Sequence, residues 1–186
     1  MNIFYLDMSP RKAAQYHNDK HVVKMILESA QLLSTAHRVL DGKLSKMKTK
    51  TGRWKSFYEI SGPRNTILYS STHVNHPSAV WVRQNRRNYL WLFALFTELC
   101  TEYTYRYDKI HKCEGMREQL AEFPNNLPEG TFTEPTLAMP DDVKIENDAI
   151  NSYRNYYIKH KTHLASWKKR DVPKWYSESN ICQPTY

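Results

Sequence analysis

Apolar positions recur with the period of a helix in three stretches of the chain. The first opens at Ser9-Pro10, a capping serine followed by proline at the first helical position, and stops at Asp41-Gly42. Val22, Met25, Ile26, Ala30, Leu33 and Ala36 form its core stripe, and Asn18-Asp19 offers a break into a short helix and a long one. The second stretch runs from His76-Pro77 to about Cys113, bent near Asn85, with Leu92, Phe96, Leu99, Tyr103, Tyr107 and Ile110 inward. The third runs from Asp141 to Trp167, with Ala149, Ile150, Tyr153, Tyr157 and Leu164 inward.

Between these stretches the period is lost. Asn2 to Asp7 alternates weakly and predicts a short strand or a tucked arm. Lys43 to Lys55 predicts a mobile loop or arm, because six of its 13 residues are basic and none is acidic. Gly62-Pro63 marks a turn. Phe123 to Pro140 holds Pro124, Pro128, Pro135 and Pro140 and predicts a long loop, functional or wrapped over the body. No internal repeat and no linker divides the chain. The expected fold is all-α: one domain over residues 1–186, a helical bundle of about three long helices with at most a short N-terminal strand and a long Pro-rich loop.

Length and composition agree with that fold. A chain of 186 residues suits one core and needs neither disulfides nor metal merely to fold. Cys100, Cys113 and Cys182 are odd in number and far apart, which predicts free thiols in a reducing compartment. No run approaches the ~18 apolar residues of a membrane span, and the first residues do not read as a signal peptide. The expected location is the cytoplasm. Charge changes the picture more. Twenty-seven Lys and Arg against 19 Asp and Glu leave a net charge of +8, so the partner is expected to be anionic.

Placed on a helical wheel, the first stretch carries a second, polar stripe: His17, His21, Lys24, Glu28, Gln31 and Thr35, opposite the core stripe. Asp19 and Lys20 flank its first turn. Solvated faces favour Glu, Lys and Arg in pairs, whereas this one opens with two histidines, the side chain that titrates near neutral pH. The expectation is a pocket lined by this stripe and closed by the second helical region, where His73, Asn75 and His76 precede Pro77. A four-histidine metal site from His17, His21, His73 and His76 is compatible with the spacing. No Cys pair or His-Glu-x-x-His pattern anchors it, so no metal is assigned. His37 continues the core stripe and is read as a buried structural histidine.

Three basic clusters carry aromatic residues. They are Lys50, Arg53 and Trp54 within Lys43–Lys55; Arg83, Arg86 and Arg87 between Trp81 and Trp91; and Lys169 and Arg170 between Trp167 and Trp175. Cations neutralise phosphates and flat rings stack on bases, so nucleic acid, DNA rather than RNA, is the expected partner. No helix pairs a basic face with a free apolar one, which argues against a membrane surface. No phosphate-binding loop, dinucleotide fingerprint, zinc-finger spacing or RNA-recognition signature is present.

The segments Asn2-Ile-Phe-Tyr-Leu-Asp7, His17-Asn-Asp-Lys-His-Val-Val-Lys-Met25, Asn75-His-Pro77, Trp81-Val-Arg83, Asn88-Tyr-Leu-Trp91, Tyr153-Arg-Asn-Tyr-Tyr157 and Trp167 to Trp175 resemble those of a group of small phage-encoded proteins. The likeness spans nearly the whole chain. At greater distance the chain resembles the phage pyrimidine-dimer DNA glycosylases, also called endonuclease V. This second resemblance implies a small, basic, all-helical protein. Glu28 matches that family's catalytic carboxylate on an early long helix, and Trp175-Tyr176 its tail aromatics. One departure is plain: that family uses the α-amine of a threonine exposed by removal of the initiator Met, and here Met1 precedes Asn2.

The candidate catalytic set is therefore His17, Asp19, His21, Lys24, Glu28 and His76, with no cofactor, and the leading expectation is a DNA glycosylase that acts on a damaged or modified base. Asp19 or Glu28 would stabilise the oxocarbenium charge that develops on the sugar. His17 or His21 would protonate the leaving base. Lys20 or Lys24 would attack the sugar to form an imine. The alternatives are a metal-dependent nuclease or phosphohydrolase built on the histidines, and a non-catalytic nucleic-acid binder.

Overall fold

The computed structural model describes residues 1–181; Cys182 lies outside them. The chain is predominantly helical. Helix α1, Pro10–Tyr16, starts where Ser9 accepts the Lys12 N–H. It ends at His17, whose extended backbone turns the chain away. Asn18 then caps α2, Asp19–Asp41, by accepting the His21 N–H at 2.9 Å. The break expected at Asn18-Asp19 is thus a back-to-back pair of caps. Helices α3, Arg64–Ile67, and α4, Pro77–Val82, follow. Asn85 caps α5, Arg86–Tyr107, which stops at Asp108 in the left-handed conformation. Short α6, Arg117–Ala121, then α7, Ala149–His160, and α8, Lys174–Ile181, complete the helical set. Helix α5 packs across α1 and α2, and one continuous core joins them.

The structure corrects the expected bundle in four places. First, Asn2 to Asp7 is no strand, because its backbone pairs with no neighbour. It is a buried arm, with Ile3, Phe4, Tyr5 and Leu6 all in the core. Phe4 sits at φ 53°, a strained backbone for a residue with a Cβ. Burial of its ring against His21, with centroids 4.3 Å apart, and among Tyr153, Tyr156 and Tyr157 offsets that cost.

Second, the segment expected to be mobile forms a hairpin of β1, Lys43–Lys48, and β2, Trp54–Glu59, paired from Lys43↔Glu59 to Lys48↔Trp54. Third, the helix expected over Asp141 to Trp167 covers only Ala149–His160, with single 3-10 turns at Asp141–Val143 and Thr162–Leu164. The Asp148 cap sets its start. Fourth, α5 ends before Ile110, which is exposed rather than core. Three long helices therefore become two, α2 and α5, braced by shorter ones.

Two buried arginines fasten these elements. Arg106, fully buried, donates to the carbonyls of Gln15 and His17 and to the carboxylates of Asp19 and Glu102. It thereby satisfies the acceptors left at the α1–α2 junction. Arg38 donates to the carbonyls of Tyr58, Asn65, Leu68 and Tyr69, which ties the base of the hairpin and the loop after α3 to α2. The Pro-rich segment wraps the body: Trp81 Nε1 donates to the Thr133 carbonyl, Tyr153 Oη to that of Thr136, and Asp41 accepts the N–H groups of Asn125 and Asn126.

Candidate active site

The arm, α2 and the loop before α4 meet at one surface. The Asn2 N–H donates to Glu28 Oε2 at 2.9 Å, and Lys24 Nζ lies 3.2 Å from Glu28 Oε1. Asn2 is held in turn by its side-chain amide, which donates to the Ala138 carbonyl at the end of the Pro-rich wrap. Across α2, Thr35 and Thr72 exchange hydrogen bonds between the Thr35 hydroxyl and the Thr72 backbone. This pins the loop that carries His73 and His76. His76 Nδ1 accepts the Ser78 N–H and caps α4, so the neutral ring carries its proton on Nε2. Burial holds the His76 pKa below its ordinary value; the Met1 amine and His73 add to this and Glu28 opposes it. The Met1 amine, Glu28 and His73 are thus each close enough for their charge to act on His76.

The remaining predicted residues lie apart from this surface, in the core or locked into it. His17 is fully buried and donates from Nδ1 to the Ala13 carbonyl at 2.6 Å, while its Nε2 has no partner among the described residues. Burial is the main cause that pushes its pKa down to about 4. His21 Nδ1 pairs with Tyr157 Oη at 2.6 Å beneath Phe4. Burial, then the charges of His17, Lys161, Lys24 and His163, push its pKa down to about 3. Both rings are neutral at pH 7. Asp19 accepts from Arg106, Ser166 Oγ and the Lys168 N–H, so its oxygens anchor the chain after α7 to α2. The front of the polar stripe is therefore buried structure. The physical reason is the arm, whose Phe4 covers the histidines.

Among the described residues no group of three or more His, Cys, Asp or Glu side chains converges as a metal site would require. His17 and His21 lie under the arm, and His73 and His76 lie beyond Glu28, so the four histidines do not assemble. A direct consequence concerns Tyr157. Tyr157→Phe leaves the buried His21 Nδ1 without its donor, and stability is expected to fall by about 1–3 kcal/mol. Urea unfolding reads this; no change would mean that His21 finds another partner.

The basic clusters separate in the same way. Arg83 donates to the carbonyls of Val74 and Ala79 and so fastens the His73–His76 loop to α4. Arg86 pairs with Glu129 at 2.7 Å, whereas Arg87 is exposed. Lys169 pairs with Asp108 and Arg170 with Glu102. Trp81 and Trp167 are buried, and Trp91 Nε1 and Trp167 Nε1 donate to the Met8 and Tyr16 carbonyls. Trp175 packs on Tyr16, Tyr157 and Arg154. These four tryptophans brace the arm, the wrap and α8 instead of offering rings to bases. Lys50, Arg53 and Trp54 stand on the hairpin, where Trp54 is 67% exposed.

Sequence reasoning missed the role of Asn2, whose backbone meets Glu28 across 26 positions, and no local pattern could reveal that pairing. It also missed the hairpin that carries Lys46 and Lys48. The alternation on both sides of Thr51-Gly52 was a usable signal for it. No protein-family model, curated protein or solved structure matches the chain.

Proposed function

We propose that the protein is a DNA N-glycosylase acting on a damaged or modified base, with Lys24, Glu28 and His76 as its working groups. What supports this reading is the meeting of Lys24 and the Asn2 N–H on Glu28, with His76 near enough for the charge of Glu28 to act on it. Glu28 is a carboxylate kept in place by two donors, one of them a backbone N–H that cannot swing away. Such a carboxylate stabilises the positive charge that grows on the sugar as the C1′–N bond lengthens. The His76 Nε2–H is a donor suited to the departing base.

In the covalent version, Glu28 takes a proton from Lys24 Nζ and the nitrogen attacks C1′ of the deoxyribose. The C1′–N bond breaks and its electron pair goes to the base. The proton lost by the attacking nitrogen passes by way of Glu28 to the base. The C1′–O4′ bond then breaks with its electron pair on O4′, which takes a further proton from the nitrogen, and the adduct becomes an imine. The target must leave the stack to be reached, at a cost of a few kcal/mol that is least for a mismatched or damaged base.

The test is borohydride trapping on duplex oligonucleotides that carry a panel of altered bases, with base release followed by mass spectrometry. A covalent adduct that maps to Lys24 and is lost in Lys24→Ala is expected. An adduct on the peptide that contains Met1 would move the nucleophile to the backbone amine and keep the glycosylase. No base release from any member of the panel would overturn the reading.

A further inference from the structure

Among the described residues, the hairpin carries a run of cations that form no ion pair. Arg83, Arg86, Arg106, Lys169 and Arg170 each meet a carboxylate or buried carbonyls. Among the described residues, none of Lys43, Lys46, Lys48, Lys50 and Arg53 forms an ion pair. From Lys43 to Tyr58 the chain contains no acidic residue.

The hairpin also contributes little to the core. Leu44, Met47 and Trp54 are 56%, 50% and 67% exposed. A lone two-stranded ribbon is marginal in water, so its retention is explained better by a partner than by stability. The pairing register places Leu44, Lys46, Lys48, Trp54, Ser56 and Tyr58 on one face. There Lys48 Nζ lies 5.4 Å from the Trp54 ring, and Lys46, Trp54 and Ser56 border an open hollow of about 570 Å³. The turn at the tip is closed by the Thr49 N–H on the Arg53 carbonyl, with Gly52 at φ 79°, and presents Lys50 and Arg53.

We propose that the β1–β2 hairpin is a ribbon that docks into the major groove of double-stranded DNA, with Lys46, Lys48, Lys50 and Arg53 on phosphates and Trp54 against the base edges. This rests on the proposed function only in taking DNA as the partner. The dimensions agree. Two strands about 4.8 Å apart with their side chains fit a groove ~12 Å wide. Six paired residues span roughly 20 Å, or about six base pairs. The major groove of an RNA duplex is too deep and narrow for such a ribbon, and a single strand offers no groove at all. Glu28 lies about 20 Å back along α2 from the base of the hairpin, counting 1.5 Å per residue.

The test measures binding of the full chain to a labelled 20-base-pair DNA duplex, its single strand and the matching RNA duplex, across a salt series. The variants are Trp54→Ala and the triple substitution Lys46→Gln, Lys48→Gln, Arg53→Gln. The triple variant gives up three cations that would each neutralise a phosphate. Its slope of log affinity against log salt is expected to shrink by about 3, and its duplex affinity at 0.1 M salt to fall roughly 500-fold. Trp54→Ala is expected to weaken duplex binding with the slope kept. Urea midpoints should match wild type, since these side chains lie outside the core. An unchanged slope and affinity in the triple variant would overturn the inference. So would single strands or RNA duplexes bound as tightly as the DNA duplex. A protein that binds duplex through the hairpin but releases no base overturns the proposed function alone. One that releases base while the triple variant binds normally overturns the hairpin alone.

Discussion

Lowering the pH from 7 to 5 is expected to remove on the order of 6 kcal/mol of the stability of this protein, well before its carboxylates titrate. His17, His21 and His37 are all buried, and their pKa values are pushed down to about 4, 3 and 4, in each case mainly by burial. Each folded value lies below the ordinary histidine value near 6.5 that the unfolded chain would show. Between those limits the unfolded state binds the extra protons. Stability is therefore complete above pH 6.5 and is lost as the pH falls toward 4. Each histidine accounts for about 2 kcal/mol at pH 5, on the order of 6 kcal/mol for the three. That is comparable with the whole stability of a typical domain, ~5–15 kcal/mol.

Glu102 acts later. Burial raises its pKa, but Arg170 and Arg106 outweigh burial and hold it below the usual carboxylate range, so its contribution is lost only further into acid. Urea unfolding at half-unit pH steps measures the slope, expected to approach three protons near pH 5. His17→Asn keeps a donor for the Ala13 carbonyl but cannot titrate, and should lower the slope by one proton. A slope below one proton would show that the histidines gain protons while folded.

Glu28→Gln is expected to lower base release by roughly 100- to 10,000-fold, the range spanned by a positioned acid–base group, with the melting temperature kept. The two effects separate because the amide oxygen of glutamine still accepts the Asn2 N–H that Glu28 Oε2 accepts at 2.9 Å. The charge is lost, and with it the ion pair with Lys24, whose side chain is largely exposed, so that the pair contributes little to stability. Glu28→Ala removes the acceptor as well, and should cost about 1 kcal/mol of stability in addition. Base release and thermal melting of the two variants side by side separate the roles. Full activity in Glu28→Gln would remove the carboxylate from the chemistry. A large stability loss with unchanged turnover would make Glu28 a clamp for the arm and nothing more.

The parts of this protein that the sequence determined by itself are those with local causes. Ser9-Pro10, Asn18-Asp19, Asn85 and Asp41-Gly42 mark helix ends because a cap acts on N–H or, at a C-terminus, carbonyl groups within a few residues of it. The stripe Val22, Met25, Ile26, Ala30, Leu33 and Ala36 is buried because the helical period alone sets one face. Lys24 and Glu28 pair one turn apart for the same reason.

What only the tertiary structure decided depends on which distant group covers a position. His17 and His21 carry the same local signal as Glu28, yet Phe4 folds over them and leaves Glu28 at the edge, where Asn2 and the His76 loop meet it. Trp81, Trp91, Trp167 and Trp175 read like the exposed Trp54 in the sequence, but each of the four is claimed by the body of the protein. Lys169 and Arg170 found Asp108 and Glu102 more than 60 positions away, while the hairpin cations found none among the described residues. Burial and ion pairing are properties of neighbours in space, and a pattern read along one chain does not contain them.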